Sequence, residues 1–523
     1  LKQAALPGLS GMRYRIFKSE KGGSCNMPCT TILVGKKASA DGSTLMARNE
    51  DSGAGHFMPK KWIAVRPEDQ PEEYKSVLSR FSVTLPKDPL PYSACPNAVA
   101  DEGIWGEAGI NAAGVAMTET ETITSNARVL GADPLVKDGI GEEDLLTIVL
   151  PYIRSAREGV QRLGSLVEKY GTYEMNGIGF QDVDEIWWFE SVGGHHWIAK
   201  RVPDDAYVVG PNQLGIDRFD FTDAYGAQKA HLCTADLISW IKANNLNLSA
   251  GEEELSACSD WEVRPSLGSH DDADHVYNTP RAWFMERYLN PHAADWDGTD
   301  RHFGPESDTL PWSMVPEHKI TVEDVKYLLS SHYQGTPYDP YAKTDIEGKR
   351  GKYRPIGVNR TNFLSLTQIR PGFPKEIAAV QWLAFASNVF NAFVPFYTNV
   401  TDTPAYIRDG GVNATTDNFY WTNRIIGALA DAHWSECANL IERYQNSVGA
   451  KARQMLRESD EAFEKKFGTA SGKKPEEKKV QKFLMKHNEQ MADMARKETQ
   501  EVLDKVLFAA SSGMKNQYSR SDA

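Results

Sequence analysis

Cysteine is scarce in this chain: six residues, at 25, 29, 95, 233, 258 and 437, are scattered over 523. No two are spaced Cys-x-x-Cys, which removes a zinc ribbon and a thioredoxin-like redox pair. Such scatter suits reduced, buried thiols, so a cytoplasmic location is expected. Long apolar runs are also missing. The longest candidate, Trp382 to Tyr397, is broken by Ser387, Asn388, Asn391 and Pro395 and reads as buried strands, not a membrane span. The first 26 residues lack the apolar core of a secretory signal. There is no surplus of basic charge either. A net charge of −13 argues against nucleic acid or an anionic membrane as partner. What remains is ample for a folded enzyme: 41% hydrophobic and 10% aromatic residues, in a chain long enough for one large or two to three ordinary domains.

The most informative stretch begins at Cys29. In Cys29-Thr30-Thr31-Ile32-Leu33-Val34, the threonines, Ile32 and Val34 favour a pleated strand. Lys36 to Asp41-Gly42 supplies a turn, and Ser43 to Arg48 returns as a second strand. This hairpin brings Arg48 and Asp51 back toward Cys29. A guanidinium beside a thiol favours the thiolate, its nucleophilic form.

Cys29-Thr30-Thr31 followed by Arg48-x-x-Asp51 resembles the N-terminal nucleophile hydrolases, specifically the cysteine dipeptidases related to penicillin V acylase and bile salt hydrolase. The likeness continues through Asn176-Gly177-Ile178-Gly179-Phe180, Val202-Pro203-Asp204-Asp205 and Pro211-Asn212-Gln213-Leu214. It extends to Tyr277-Asn278-Thr279-Pro280-Arg281 and Tyr333-Gln334-Gly335-Thr336-Pro337-Tyr338-Asp339-Pro340, spanning roughly residues 27 to 420. The resemblance implies an α+β fold, a four-layer αββα sandwich. Residues 1–28 are then a leader or propeptide, 29–423 the catalytic domain, and 424–523 a C-terminal helical region packing on it. Met27 is an alternative start of translation.

Along the chain, short strands with turns run to about residue 120. A helical stripe follows from Glu142 to Val167, with Pro151 as a possible kink and Gly171 as its stop. Glu142 and Glu143 suit the first turn, where the helix dipole favours negative charge. Strands over 177–180, 186–190, 197–202 and 207–209, joined by tight turns, predict an antiparallel sheet. Residues 424–467 and 475–510 read as two helices broken by Ser471-Gly472-Lys473-Lys474-Pro475, either packing on the main domain or forming a subunit interface. A homo-oligomer is expected.

The resemblance also implies roles. Cys29 becomes residue one, and its own α-amine, with a pKa of about 7.7–8.0, serves as base. Asp51 orients that amine and Arg48 lowers the thiol pKa. Asn212 donates to the oxyanion. Arg281 is a site arginine, and a planar guanidinium also suits a substrate carboxylate. The acylases have an asparagine as second oxyanion donor, where Thr120-Glu121-Thr122 offers glutamate or threonine. Glu121, in the acidic run from Glu119, is a candidate partner for a substrate ammonium.

Two other segments compete weakly. His270-Asp271-Asp272-Ala273-Asp274-His275 has metal-binding side chains but no His-Glu-x-x-His, and reads as a solvated loop. His195-His196 precedes a strand in which neighbours face opposite ways, so at most one reaches any site. No metal and no cofactor are expected. The reading is a dipeptidase acting on small peptides. An amide acylase of the same fold and a noncatalytic binding or scaffold relative are the alternatives.

Overall fold

The computed structural model describes residues 29–514 except 54–56, 100–102, 121–122, 249–253, 270, 298–302 and 469–474. The expected hairpin is present, with strands Cys29–Val34 (β1) and Thr44–Asp51 (β2). Its turn follows from local chemistry. The Asp41 carboxylate accepts from the Ser43 N–H at 3.0 Å, and Gly42 takes a left-handed φ of 81°. The pairing sets Cys29 opposite Glu50 and Thr31 opposite Arg48.

The hairpin lies inside a seven-stranded sheet. From edge to edge its order is Ser313–Met314, Tyr207–Gly210, β1, β2, Thr361–Ile369, Ala379–Phe385 and Val394–Tyr397. A second sheet runs His231–Cys233, Trp197–Arg201, Ile186–Ser191, Gly177–Gln181, Ala116–Thr120 and Ala108–Ile110. Neighbours in both sheets are antiparallel. The run Trp382 to Tyr397 is indeed two buried strands joined by a loop.

The sheets pack face to face, with β1 and β2 against Ala116–Thr120 and β2 also against Gly177–Gln181. Helices Glu142–Val149 and Ala156–Tyr170 cover the outer face of the six-stranded sheet, where Ile148, Val160 and Leu163 join Phe180, Trp187 and Phe189 in one core. The outer face of the seven-stranded sheet carries Thr279–Leu289, Val322–Leu329 and the C-terminal helices, uniting Phe284, Val325, Ile426 and Leu484 with Val380 and Phe396. The order is therefore helix, sheet, sheet, helix. Because both faces of β1 are covered, its residues are buried throughout, and apolar character at both parities is required.

Three details depart from the sequence reading. The strand at 207–210 leaves its three predecessors and crosses to the other sheet, where it pairs with β1. The stripe from 142 to 167 is two helices, because Leu150–Tyr152 forms a 3-10 turn around Pro151 and Ser155 caps the second helix. Gly171, at φ 71°, ends it as expected. Among the described residues the C-terminal region has three helices: Phe419–Ala432, Trp434–Phe467 and Glu477–Ser512. The last begins at Glu477, two positions later than Pro475 implied. Val480, Leu484, Met491, Val502 and Val506 on its inner face are buried. Asp460 joins this region to the sheet, accepting from Arg370 at 2.6 and 3.0 Å and from the Tyr397 hydroxyl at 2.6 Å. Among the described residues no helix is long and apolar enough to cross a membrane.

Candidate active site

Four consecutive polar side chains, Arg48, Asn49, Glu50 and Asp51, are fully buried at the end of β2. A strand covered on both faces would normally be apolar there, so this violation of the local rule marks a functional site. Strand alternation divides the four. Arg48 and Glu50 project to one face, and Asn49 and Asp51 to the other.

On the first face, Arg48 Nη2 donates to Cys29 Sγ. Nη1 of the same guanidinium pairs with Glu107 and donates to Glu142 Oε1 at 3.2 Å. Lys60 lies alongside, 2.6 Å from Glu50 and 3.5 Å from Glu107, and donates to the Trp105 carbonyl at 3.2 Å. Burial pulls the Arg48 pKa down, but Cys29, Glu107, Glu142 and Glu50 outweigh it and hold the group charged. Burial raises Glu107, yet Arg48 and Lys60 bring it below the usual carboxylate range. Glu50 is pushed up to about 7 by burial and by Glu107. Burial and the Glu107 charge drive Glu119, next to this group, well above its ordinary value. Trp105 and Glu107 both adopt left-handed backbone, at φ 50° and 64°. Each costs about 1–2 kcal/mol for a residue with a side chain, and such strain collects at functional sites.

On the second face, Asn49 Oδ1 accepts from the Thr30 N–H at 2.6 Å and its amide donates to the Ile356 carbonyl at 3.1 Å. Asp51 accepts from Thr361 Oγ1 and is paired with Arg354. The Cys29 N–H donates to Asn212 Oδ1 at 3.1 Å. Arg281 Nη2 donates to that same oxygen at 2.9 Å and to Asn278 Oδ1 at 2.7 Å. Its Nη1 donates to the Cys29 carbonyl and to Thr30 Oγ1, and its Nε donates to the Tyr277 carbonyl at 2.7 Å. Burial and the neighbouring Arg354 lower Arg281 to about 9.

Cys29, Arg48, Asp51, Asn212 and Arg281 are thus brought together. Two of the expected roles change in detail. Arg281 uses Nε and both terminal nitrogens within the protein, so it fastens the start of β1 to Asn212 and does not present itself to a substrate carboxylate. Asn212 turns its oxygen toward Arg281 and the Cys29 nitrogen. Glu121 and the Thr120-Glu121-Thr122 side chains lie outside the described residues.

The competing segments do not join the site. Asp271 caps a helix over Asp272–Tyr277, so this stretch is not a loop, and His275 pairs with Asp308 at 3.0 Å. His270 lies outside the described residues. His195 and His196 are in a turn, not a strand, and both rings bind one carboxylate, Asp133, at 3.0 and 2.7 Å.

Sequence reasoning missed Glu107, Lys60, Arg354 and the burial of Glu142. For Glu142 and Glu143, the first-turn placement was correct, but helix-dipole logic predicts solvated charges and both are buried. The available signal was density: three acidic residues at 142–144 opening a largely apolar helix.

Residues 28–447 match the model of peptidase family C69, and the chain belongs to that family. It is 51% identical to a dipeptidase of Bifidobacterium longum (strain NCC 2705), over 95% of this chain and all of that protein. It is 50% identical to a probable dipeptidase A of Streptococcus pyogenes serotype M3 (strain SSI-1), again over 95% of this chain and all of the relative. Dipeptidase A of Lactobacillus helveticus is 42% identical over 92% of this chain and 96% of its own length. Among solved structures, penicillin V acylase from Agrobacterium tumefaciens aligns with TM-score 0.30 and 12% identity, covering 71% of this chain and 86% of that one.

Proposed function

We propose that this peptidase hydrolyses dipeptides, with Cys29 as nucleophile after removal of residues 1–28. The observation that carries the reading is the Arg48 hydrogen bond to Cys29 Sγ at the first residue of a central strand. The printed names of the family relatives support the substrate class.

Scission of the Pro28–Cys29 bond converts the Cys29 N–H into an amine, next to Asn212 Oδ1. That amine takes the thiol proton, and Arg48 stabilises the thiolate. Sγ attacks the peptide carbonyl, and Asn212 Nδ2 with a backbone N–H holds the oxyanion. The amine then protonates the departing amino acid, and water releases the acyl group from the thioester. Asp51, held by Arg354 and Thr361, keeps the amine end of β1 in place. Arg281 fixes the carbonyl of the same residue.

Cytoplasmic location is supported by Cys95, Cys233, Cys258 and Cys437, which form no disulfide. A homo-oligomer is supported by Leu507, Phe508 and Met514, exposed near the end of the last helix. Intact-mass measurement tests the central reading. The active protein should lack residues 1–28, and Cys29→Ala should neither process nor hydrolyse. Hydrolysis by the Cys29→Ala protein, or by a protein that retains Pro28, would overturn it.

A further inference from the structure

Glu107, Glu119 and Glu142 offer carboxylate oxygens that all lie within 4.8 Å of one another, and all three side chains are buried. The Arg48 guanidinium bridges Glu107 and Glu142 to Cys29 Sγ. Glu119 carries the second observation. Among the described residues neither of its oxygens has a hydrogen-bond partner, although it is 0% exposed. A buried acceptor pair of this kind calls for a donor. Among the described residues, Arg48 and Lys60 face the group together with the carboxyls of Glu50, Glu107, Glu119 and Glu142. Behind them, Glu143 is bonded by the hydroxyls of Tyr173 and Ser76. Asp144 is bonded by the Tyr74 hydroxyl and the Gly141 N–H, and Glu174 by the Glu142 N–H.

We infer that Glu107, Glu119 and Glu142 form the seat of the substrate's α-ammonium, an inference that rests on the dipeptidase reading. The dimensions agree. In a dipeptide the ammonium nitrogen is two bonds, about 2.5 Å, from the attacked carbonyl carbon. That carbon comes to about 3–3.5 Å from Sγ. An ammonium bonded at about 2.8 Å sets its tetrahedral acceptors about 4.6 Å apart, which suits this spread. A divalent cation with oxygens at about 2.3 Å would draw them in to about 3.3 Å. Cys29 is closed off from solvent as completely as the cluster, so an opening that admits the carbonyl to Sγ also serves the ammonium. Burial and Glu107 disfavour the charge of Glu119, which a cation beside it would offset.

The experiment uses the processed enzyme with L-alanyl-L-alanine, its N-acetyl form and its analogue with hydroxyl in place of the amine. The wild type should favour the free dipeptide about tenfold or more in kcat/KM over each analogue. Glu119→Gln and Glu119→Leu should collapse that ratio toward one, chiefly through KM for the free dipeptide, while still losing residues 1–28 and alkylating at Cys29. Two variants guard against one failing to fold. A preserved ratio in a processed, alkylatable variant overturns the seat. So does inactivation by a chelator reversed by calcium, which would make the cluster a metal site. Failure of the dipeptidase reading looks different, because the wild type itself would then show no preference or turn over no dipeptide.

Discussion

Arg48 donates a hydrogen bond from Nη2 to the sulfur of Cys29. One strand register explains the contact, since Arg48 sits opposite Thr31 and reaches along the hairpin to the first residue of β1. The other end of the guanidinium is clamped by Glu107 and Glu142, so the donor is fixed before any substrate arrives. Preorganised donors of this kind act without reorganisation during reaction.

Replacing Arg48 by glutamine keeps a donor but removes the charge. The pH midpoint of Cys29 alkylation by iodoacetamide should rise by about one unit or more. Stability should fall by about 3–5 kcal/mol as Glu107 and Glu142 lose their counter-ion. Arg48→Lys should restore the midpoint but not full kcat, because an ammonium cannot fork between sulfur and carboxylate. An unchanged midpoint in Arg48→Gln would refute the role.

Arg281 works through Cys29, Thr30 and Asn212, so Arg281→Lys should lower kcat and slow loss of residues 1–28, with KM little changed. The preference for a dipeptide over its C-terminal amide should match wild type. If that preference disappears, Arg281 binds the substrate carboxylate after all. Steady-state kinetics on the two substrates decide it.

The buried carboxyls make stability depend on pH. Burial pushes Glu174 up to about 8, against the pull of the Glu142 N–H. The unfolded chain releases that proton near its ordinary pKa of about 4.3. Between these values the folded state binds more protons, so stability is full at the acid end and declines as pH rises toward 8. Asp144 and Glu50, each at about 7, act in the same direction. Glu174→Gln, which keeps an acceptor for the Glu142 N–H, should flatten the decline. Tm measured from pH 5 to 8 checks this, and parallel curves for the two proteins would refute it.

Asp460 anchors the long helix Trp434–Phe467 to the sheet. Asp460→Ala leaves Arg370 and Tyr397 without their acceptor and should cost about 3–5 kcal/mol. Chemical denaturation measures it, and a loss below 1 kcal/mol would mean the helix is held by apolar packing alone.

Local signals were strong where contacts are local. The β-branched run after Cys29, the Asp41-Gly42 turn and the spacing to Arg48 and Asp51 were enough to place the hairpin and its thiol–guanidinium pair. Asn212 and Arg281, 183 and 252 residues from Cys29, came from motif resemblance, since nothing in their own neighbourhood points to the site. The strand at 207–210 looked like its three predecessors because an apolar run carries no mark of which sheet it will join.

The amino-acid sequence by itself determined the Cys29 hairpin and the helical character of the C-terminal region, because turn chemistry and side-chain periodicity act over a few residues. Tertiary structure alone decided the environment of the sulfur. Lys60, Glu107, Glu119 and Glu142 come from separate elements, and their charges matter only once packing removes water between them. Glu142 illustrates the difference: at a helix start in water it would be an ordinary favourable charge, whereas in the closed sandwich it becomes part of an acidic group beside Cys29. Burial strengthens every one of these interactions, and burial is a property of the assembled layers.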